Sequence, residues 1–271
     1  MRKLSSVIAI LAFACAIAAR EPQGGAPAQQ NLASAVQAQQ QDPARQQALD
    51  QASLFMARKQ YADAVPVYQD LLKKYPHDSS LWNYLGIAYH QQGMLSQALK
   101  SYEHAGKVNK TNGDAWNNIG TVYYQQLKYA KAVRSYRKAI QTVPDNAVFY
   151  SNLGMAYLDY KHFPEALDAF HHALALNPDV FANSSGTSTV LQSRSIKDHG
   201  LFYFLLAKSY ASDGDATTCA TYLKKSRDEG YDDFLKAKTD PAFSKVILNT
   251  SVREILGLPA IPAVPPKSQG L

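Results

Sequence analysis

Leu85–Ala105, LGIAYHQQGMLSQALKSYEHA, sets small residues and aromatics at intervals that return elsewhere in the chain. A step of 34 residues from Gly86 reaches Gly120 and then Gly154, and the same step carries Tyr89 onto Tyr123 and Tyr157. It also joins Ala64, Ala98, Ala132 and Ala166; Tyr68, Tyr102, Tyr136 and Phe170; and Trp82, Trp116 and Tyr150. A period of this length, with this composition, is the signature of a helix-turn-helix unit stacked on copies of itself.

Three segments open successive units: WNYLGIAYHQQG from Trp82, WNNIGTVYYQQL from Trp116 and YSNLGMAYLDYK from Tyr150. Each is followed by an alanine, an aromatic and a further alanine (Ala105, Ala139, Ala173). In these residues the chain resembles the tetratricopeptide (TPR) repeat proteins, of an exported bacterial type. The resemblance implies an all-α fold, a right-handed α-solenoid of antiparallel helix pairs with about four regular units, a degenerate fifth and a capping helix. The unit from Arg45 to Asp78 is more degenerate: it keeps Phe55, Tyr61, Ala64, Tyr68 and Pro76 but has Ala48 and Gln51 where later units carry Trp and Leu or Ile.

The residue types have physical reasons. Two helices approach closely where their crossing carries little side-chain volume, the role expected of Gly86 against Ala98, Gly120 against Ala132 and Gly154 against Ala166. The aromatics then fill the wedge between units, each ring burying about 150–250 Å² and contributing roughly 4–6 kcal/mol of gross transfer energy. Pro76, Pro144 and Pro178 stand where second helices should stop, with Lys110 at the equivalent position of the remaining unit. Asp78, Asn112 and Asn146 follow as N-caps.

Before the repeats, MRKLSSVIAILAFACAIAAREPQ has a basic start, a short apolar run and small residues near Ala16–Ala19. It reads as a secretory signal peptide over residues 1–19, cleaved after Ala18 or Ala19, and too short for a permanent transmembrane span. An alternative reading makes Cys15 a lipid anchor, although Phe13 occupies a position that usually holds a small residue. The expected location is therefore exported: periplasmic or secreted, or a membrane-anchored lipoprotein. Once Cys15 has left, Cys219 is the sole cysteine and no internal disulfide is available. Loss of Arg2 and Lys3 takes the formal charge from +6 to +4, an excess that reads as scattered over helix surfaces and not as a nucleic-acid footprint. Residues 20–44 read as a low-complexity tether and 45–180 as four repeats. Residues 257–271 form a Pro-rich tail that cannot continue a helix.

Tyr157 finds its next counterpart at Tyr210, 53 residues on, so 19 residues interrupt the array. The interruption, 181–199, is rich in Ser, Thr and Asn and reads as a surface loop; a binding loop or lid is the sharper alternative. Residues 200–256 hold a degenerate repeat, with Cys219 at an alanine position as a buried packing residue. They also hold a closing segment whose Gly230, Tyr231, Asp240, Pro241 and Phe243 resemble the end of bacterial TPR arrays.

The chain has no HExxH, GxSxG, phosphate-loop or GxGxxG motif, and its seven histidines form no zinc pattern. Adjacent His171 and His172 point to different sides of a helix. The expectation is a protein without catalytic residues, metal or cofactor. Its partner would be another protein or peptide. The resemblance places partner binding on the concave face lined by first helices. Asn83, Ile87, His90 and Gln91, then Asn117, Thr121, Tyr124 and Gln125, then Ser151, Met155, Leu158 and Asp159 should project there. TPR domains that clamp chaperone C-termini carry lysines and arginines late in these helices; this chain has Gln91, Gln125 and Asp159. The expected function is a non-enzymatic scaffold in the bacterial cell envelope. The alternatives are a lipid-anchored outer-membrane assembly or pilus-biogenesis factor, and a ligand-binding or hydrolytic domain using the 181–199 loop.

Overall fold

A computed structural model describes residues 42–181 and 199–261. The expected signal peptide, Cys15, nearly all of the expected tether, the insertion from 182 to 198 and the tail from 262 lie outside the described residues. Two compact units divide the chain, 1–48 and 49–271; of the first, only 42–48 are described, and they open helix α1 (Pro43–Ala57).

The second unit is a chain of helix pairs: α2 (Tyr61–Lys74), α3 (Ser79–Gln91), α4 (Leu95–Val108), α5 (Gly113–Gln125), α6 (Tyr129–Thr142), α7 (Ala147–Asp159) and α8 (Phe163–Leu176). After the interruption come α9 (His199–Asp213) and α10 (Ala216–Asp228). No strand occurs among the described residues. Each first helix packs on its own second helix, α3 on α4, α5 on α6, α7 on α8 and α9 on α10. Each second helix packs on the next first helix, α2 on α3 through to α8 on α9. This is the α-solenoid of antiparallel pairs that the period implies.

The N-caps fall as expected. Asp78 accepts from the backbone N–H of Ser80 and Leu81, Asn112 from Ala115, Asn146 from Val148 and, in the last pair, Asp215 from Thr218. Each satisfies a donor that the first turn leaves without an intrahelical partner. The turn between paired helices shows a second regularity. Lys59, Gly93, Leu127 and Lys161, spaced by 34, all hold positive φ (59°, 76°, 61° and 62°), and Gly214 does the same in the last pair. Only two of these five positions are glycine, the residue for which the left-handed conformation costs nothing.

The crossing differs in detail from expectation. A Cβ on Gly86 would lie 2.5 Å from the Tyr102 ring, on Gly120 2.6 Å from the Tyr136 ring, and on Gly154 2.5 Å from the Phe170 ring. What each glycine accommodates is thus the aromatic sixteen residues on, while Ala98, Ala132 and Ala166 are fully buried beside it. The same ring also meets the following unit: Tyr102 shares a core with Ile119 and Val122. Tyr136 shares one with Leu153 and Ala156, and Phe170 with Phe202, Leu205 and Leu206 across the interruption.

Cys219 is fully buried, and that burial, with Asp215 nearby, pushes its thiol up to about 12. The closing segment is two 3-10 turns, Asp232–Lys238 and Pro241–Phe243, and a short helix α11 (Thr250–Ile255), in place of one capping helix. Its Phe243, Val246, Val252 and Leu256 share a core with Phe204, Ala207 and Leu223. Asp240 caps the second 3-10 turn and pairs with Lys208 at 2.6 Å.

Candidate functional site

First helices α3, α5 and α7 lie side by side. Their polar side chains are joined by four hydrogen bonds, each between residues 35 apart. Asn118 Nδ2 donates to Asn83 Oδ1 at 3.0 Å and Asn152 Nδ2 to Asn117 Oδ1 at 2.9 Å. About two turns further along, His90 Nε2 meets Gln125 Oε1 at 2.8 Å and Tyr124 OH donates to Asp159 Oδ2 at 2.6 Å. The offset is one more than the repeat, so each bond ties a position of one unit to its off-register neighbour in the next.

With Gln125 Oε1 as acceptor, His90 Nε2 carries the hydrogen, leaving Nδ1 to accept from Tyr102 OH at 3.5 Å. Burial holds the His90 imidazole below its ordinary range, against an opposing contribution from Gln125. Burial also raises the hydroxyls of Tyr102 and Tyr136, partly offset in Tyr136 by its bond to Thr121 Oγ1.

Six of the partner-facing candidates are interior. Asn83, Thr121, Tyr124, Ser151, Met155 and Leu158 are all buried, at no more than 7 % exposure. The reason lies between units: neighbouring first helices sit close enough for side chains on this face to bond to one another. Asn83 and Tyr124 are taken into the bonds just described. Thr121 donates to the Asn117 carbonyl and accepts from Tyr136. Ser151 occupies the position of Asn83 and Asn117, but its Oγ has no hydrogen-bond partner. Ile87, His90, Asn117, Gln125 and Asp159 are partly exposed and Gln91 is exposed. Of the partly exposed amides, Asn117 uses its side-chain carbonyl oxygen and Gln125 its Oε1 in these bonds, not their NH₂ groups. Asn118 and Asn152, absent from the sequence reading, are the donors; the pairs Asn83/Asn118 and Asn117/Asn152, each 35 apart, are the only sign of them in the sequence.

The opposite faces show a further repeat. The aromatic that opens each first helix is covered by the residue 22 positions later. The Trp82 and His104 rings lie 4.0 Å apart, and Lys138 Nζ stands 3.3 Å from the Trp116 ring centre. Tyr150 and His172 stack at 5.2 Å, and Lys225 Nζ is 5.5 Å from the Tyr203 ring centre. This places His172 on a ring, while His171 bonds to Asp213 at 2.9 Å. Among the described residues no group of three His, Cys, Asp or Glu is placed to hold a metal ion, and no helix is long and apolar enough to cross a membrane.

Sequence profiles described as tetratricopeptide repeat match residues 49–109 and 147–180, and one described as TPR repeat matches 122–159. No curated protein matches the chain. Among solved structures, MamA is 18 % identical with a TM-score of 0.49, over 72 % of this chain and 95 % of that one. YrrB, titled a TPR protein with an unusual peptide-binding site, is 18 % identical with a TM-score of 0.46, over 71 % and 91 %. The Arabidopsis OM64 TPR domain is 24 % identical with a TM-score of 0.37, over 38 % and 84 %. Stacked helix pairs matched by tetratricopeptide repeat profiles support a protein–protein interaction scaffold. The matched repeats make the chain a tetratricopeptide-repeat protein. Such repeats are generally non-enzymatic interaction modules.

Proposed function

We propose that this chain is an exported scaffold of the bacterial cell envelope that holds an extended segment of a partner protein across the exposed part of its first-helix face. The contact residues are Ile87, His90, Gln91, Asn117 and Gln125. What supports the reading is the bonding between α3, α5 and α7. It holds Asn117 and Gln125 by their oxygens and leaves their N–H groups to meet backbone carbonyls of an extended chain. The side chains are already ordered, so binding costs little further rotamer entropy. Without lysine or arginine at these positions, the face suits a neutral segment over an acidic tail. Export rests on the basic start, apolar run and small residues of the first 19 positions. The bacterial assignment rests on that signal style and on the resemblance of the closing segment.

The test is site-specific photocrosslinking from Gln91 in cells, with Arg137 on the far side of its unit as control. The expected result is an envelope-protein adduct from Gln91 that disappears when Asn117 and Gln125 are both changed to Ala. Adducts that survive this change, or that form equally from Arg137, remove the face assignment. The mass of the mature N-terminus tests export separately. A start at Ala19 or Arg20 is expected, a lipid on Cys15 transfers the case to an anchored factor, and retained Met1 in cytoplasmic protein ends it.

A further inference from the structure

The net positive charge is not scattered. Helices α4 and α6, the second helices of adjacent units, carry Lys100, Lys107, Lys131, Arg134, Arg137 and Lys138 and a single acid, Glu103. All six cations are exposed and none has an ion-pair partner among the described residues. The second helices on either side differ. In α2, Asp63 and Asp70 balance Lys73 and Lys74, while α8 carries Glu165 and Asp168 and no lysine or arginine. Along α6 the outward positions 130, 131, 134, 137, 138 and 141 hold four cations, Ala130 and Gln141. Leu127 and Val143, just beyond the two ends of that helix, are exposed at 53 % and 40 %.

The shape of this region indicates what it fits. Between α2 and α4 a cleft of about 390 Å³ is open over Leu72, Trp82, Leu85 and Tyr89. The corresponding interval between α4 and α6 is filled. There the Trp116 ring fits against Gly106, where a Cβ would come within 2.8 Å of it, and Lys138 lies on the ring. A second ring, Tyr123, is covered by Lys131 at 5.4 Å. The Trp116 ring and Lys138 thus occupy space that, between α2 and α4, stands open to a polypeptide segment. The α4–α6 interval presents a ridge of charge flanked by exposed apolar side chains, with lysines outnumbering arginines, so that mobile point charges prevail over the planar forks that select single carboxylates.

We infer that the outward face of α4 and α6 is an adhesion surface for an anionic phospholipid bilayer. Lipid phosphates accept from the six cations while Leu127 and Val143 meet the interface, an attraction that is electrostatic and weakens with salt. This face is separate from the first-helix face and does not depend on what binds there.

The test uses the full chain and vesicles of phosphatidylcholine, with or without phosphatidylglycerol, read as the ratio of the two affinities; any contribution from the apolar N-terminus is common to both. K107Q/R134Q/R137Q is compared with the charge-matched control K73Q/K74Q/K224Q. The expected result is preferential binding to anionic vesicles that falls at least tenfold between about 0.05 and about 0.3 M salt. The first variant should lose roughly fivefold per cation removed, and the control should change little. Equal losses in the two triple variants make the effect one of net charge and overturn the assignment. Absence of anionic preference overturns it too, as does cation-dependent binding to polyglutamate or a DNA duplex without binding to vesicles.

Discussion

Gly120→Ala tests the packing on which the stack depends. The added methyl would stand 2.6 Å from Tyr136 Cε1 and 2.7 Å from Cδ1, about 1 Å inside ordinary contact. The ring cannot swing aside freely, since it is fully buried and its hydroxyl donates to Thr121 Oγ1 at 3.3 Å. Overpacking of this kind costs about 1–3 kcal/mol. Against it stands the gain from replacing glycine by alanine inside a helix, about 1 kcal/mol. The clash prevails, for a net loss of up to about 2 kcal/mol, or a Tm lowered by up to roughly 8 °C for a chain of this size. Urea titration followed by far-UV circular dichroism measures it, and Tyr136→Leu completes a double-mutant cycle. A leucine removes the ring atoms that the methyl strikes, so the double variant should be more stable than the sum of the singles predicts, by about 1 kcal/mol or more. A Gly120→Ala protein more stable than wild type, or a cycle without coupling, would refute the account of why glycine stands there.

Three further outcomes follow from the same coordinates. Lys161 holds φ +62°, a conformation costing an L-residue about 1–2 kcal/mol; Lys161→Gly should recover part of it and, after glycine's entropy of about 0.5–1 kcal/mol, raise stability by roughly 0.5–1 kcal/mol. A lower melting temperature would contradict this. His90 is held below its ordinary 6.5, so the unfolded chain takes up that proton first; its stabilising contribution is whole above 6.5 and is lost as pH falls from there through the folded value. Urea midpoints at about pH 7.5 and about pH 5.5 should therefore differ less in His90→Gln than in wild type, and equal differences would refute it. Cys219, with its thiol raised to about 12, holds roughly one part in ten thousand as thiolate at about pH 8. Alkylation by iodoacetamide should accordingly follow unfolding, and rapid modification of the native protein would show the site to be open.

The repeat was legible because its determinants are residue identities within one unit: a glycine, two alanines and two aromatics at constant intervals. The turns were not. Lys59, Leu127 and Lys161 share a left-handed backbone with Gly93 and Gly214, but tertiary context imposes it on side chains that give no sign of it. The partner-facing candidates were chosen by asking which residues point away from the packing stripe of their own helix pair. That logic leads to Gln91, which is exposed, and Gln125, which is partly exposed. Tyr124, Met155 and Leu158 are buried instead, and for Tyr124 the neighbouring unit supplies the partner, Asp159, at an interval of 35 and not 34. The 3-10 turns at Asp232–Lys238 and Pro241–Phe243 were not legible, because their short lengths leave no periodicity to read.

The two tryptophans of the chain, Trp82 and Trp116, occupy the same place in consecutive units, one beneath an imidazole and the other beneath an ammonium. They act as built-in optical labels for the second and third units alone. When indole emission and helical ellipticity are recorded in one thermal scan, coincident curves mean that the array melts as a whole. An emission change that precedes or trails the ellipticity dates the loss of those two units relative to the rest.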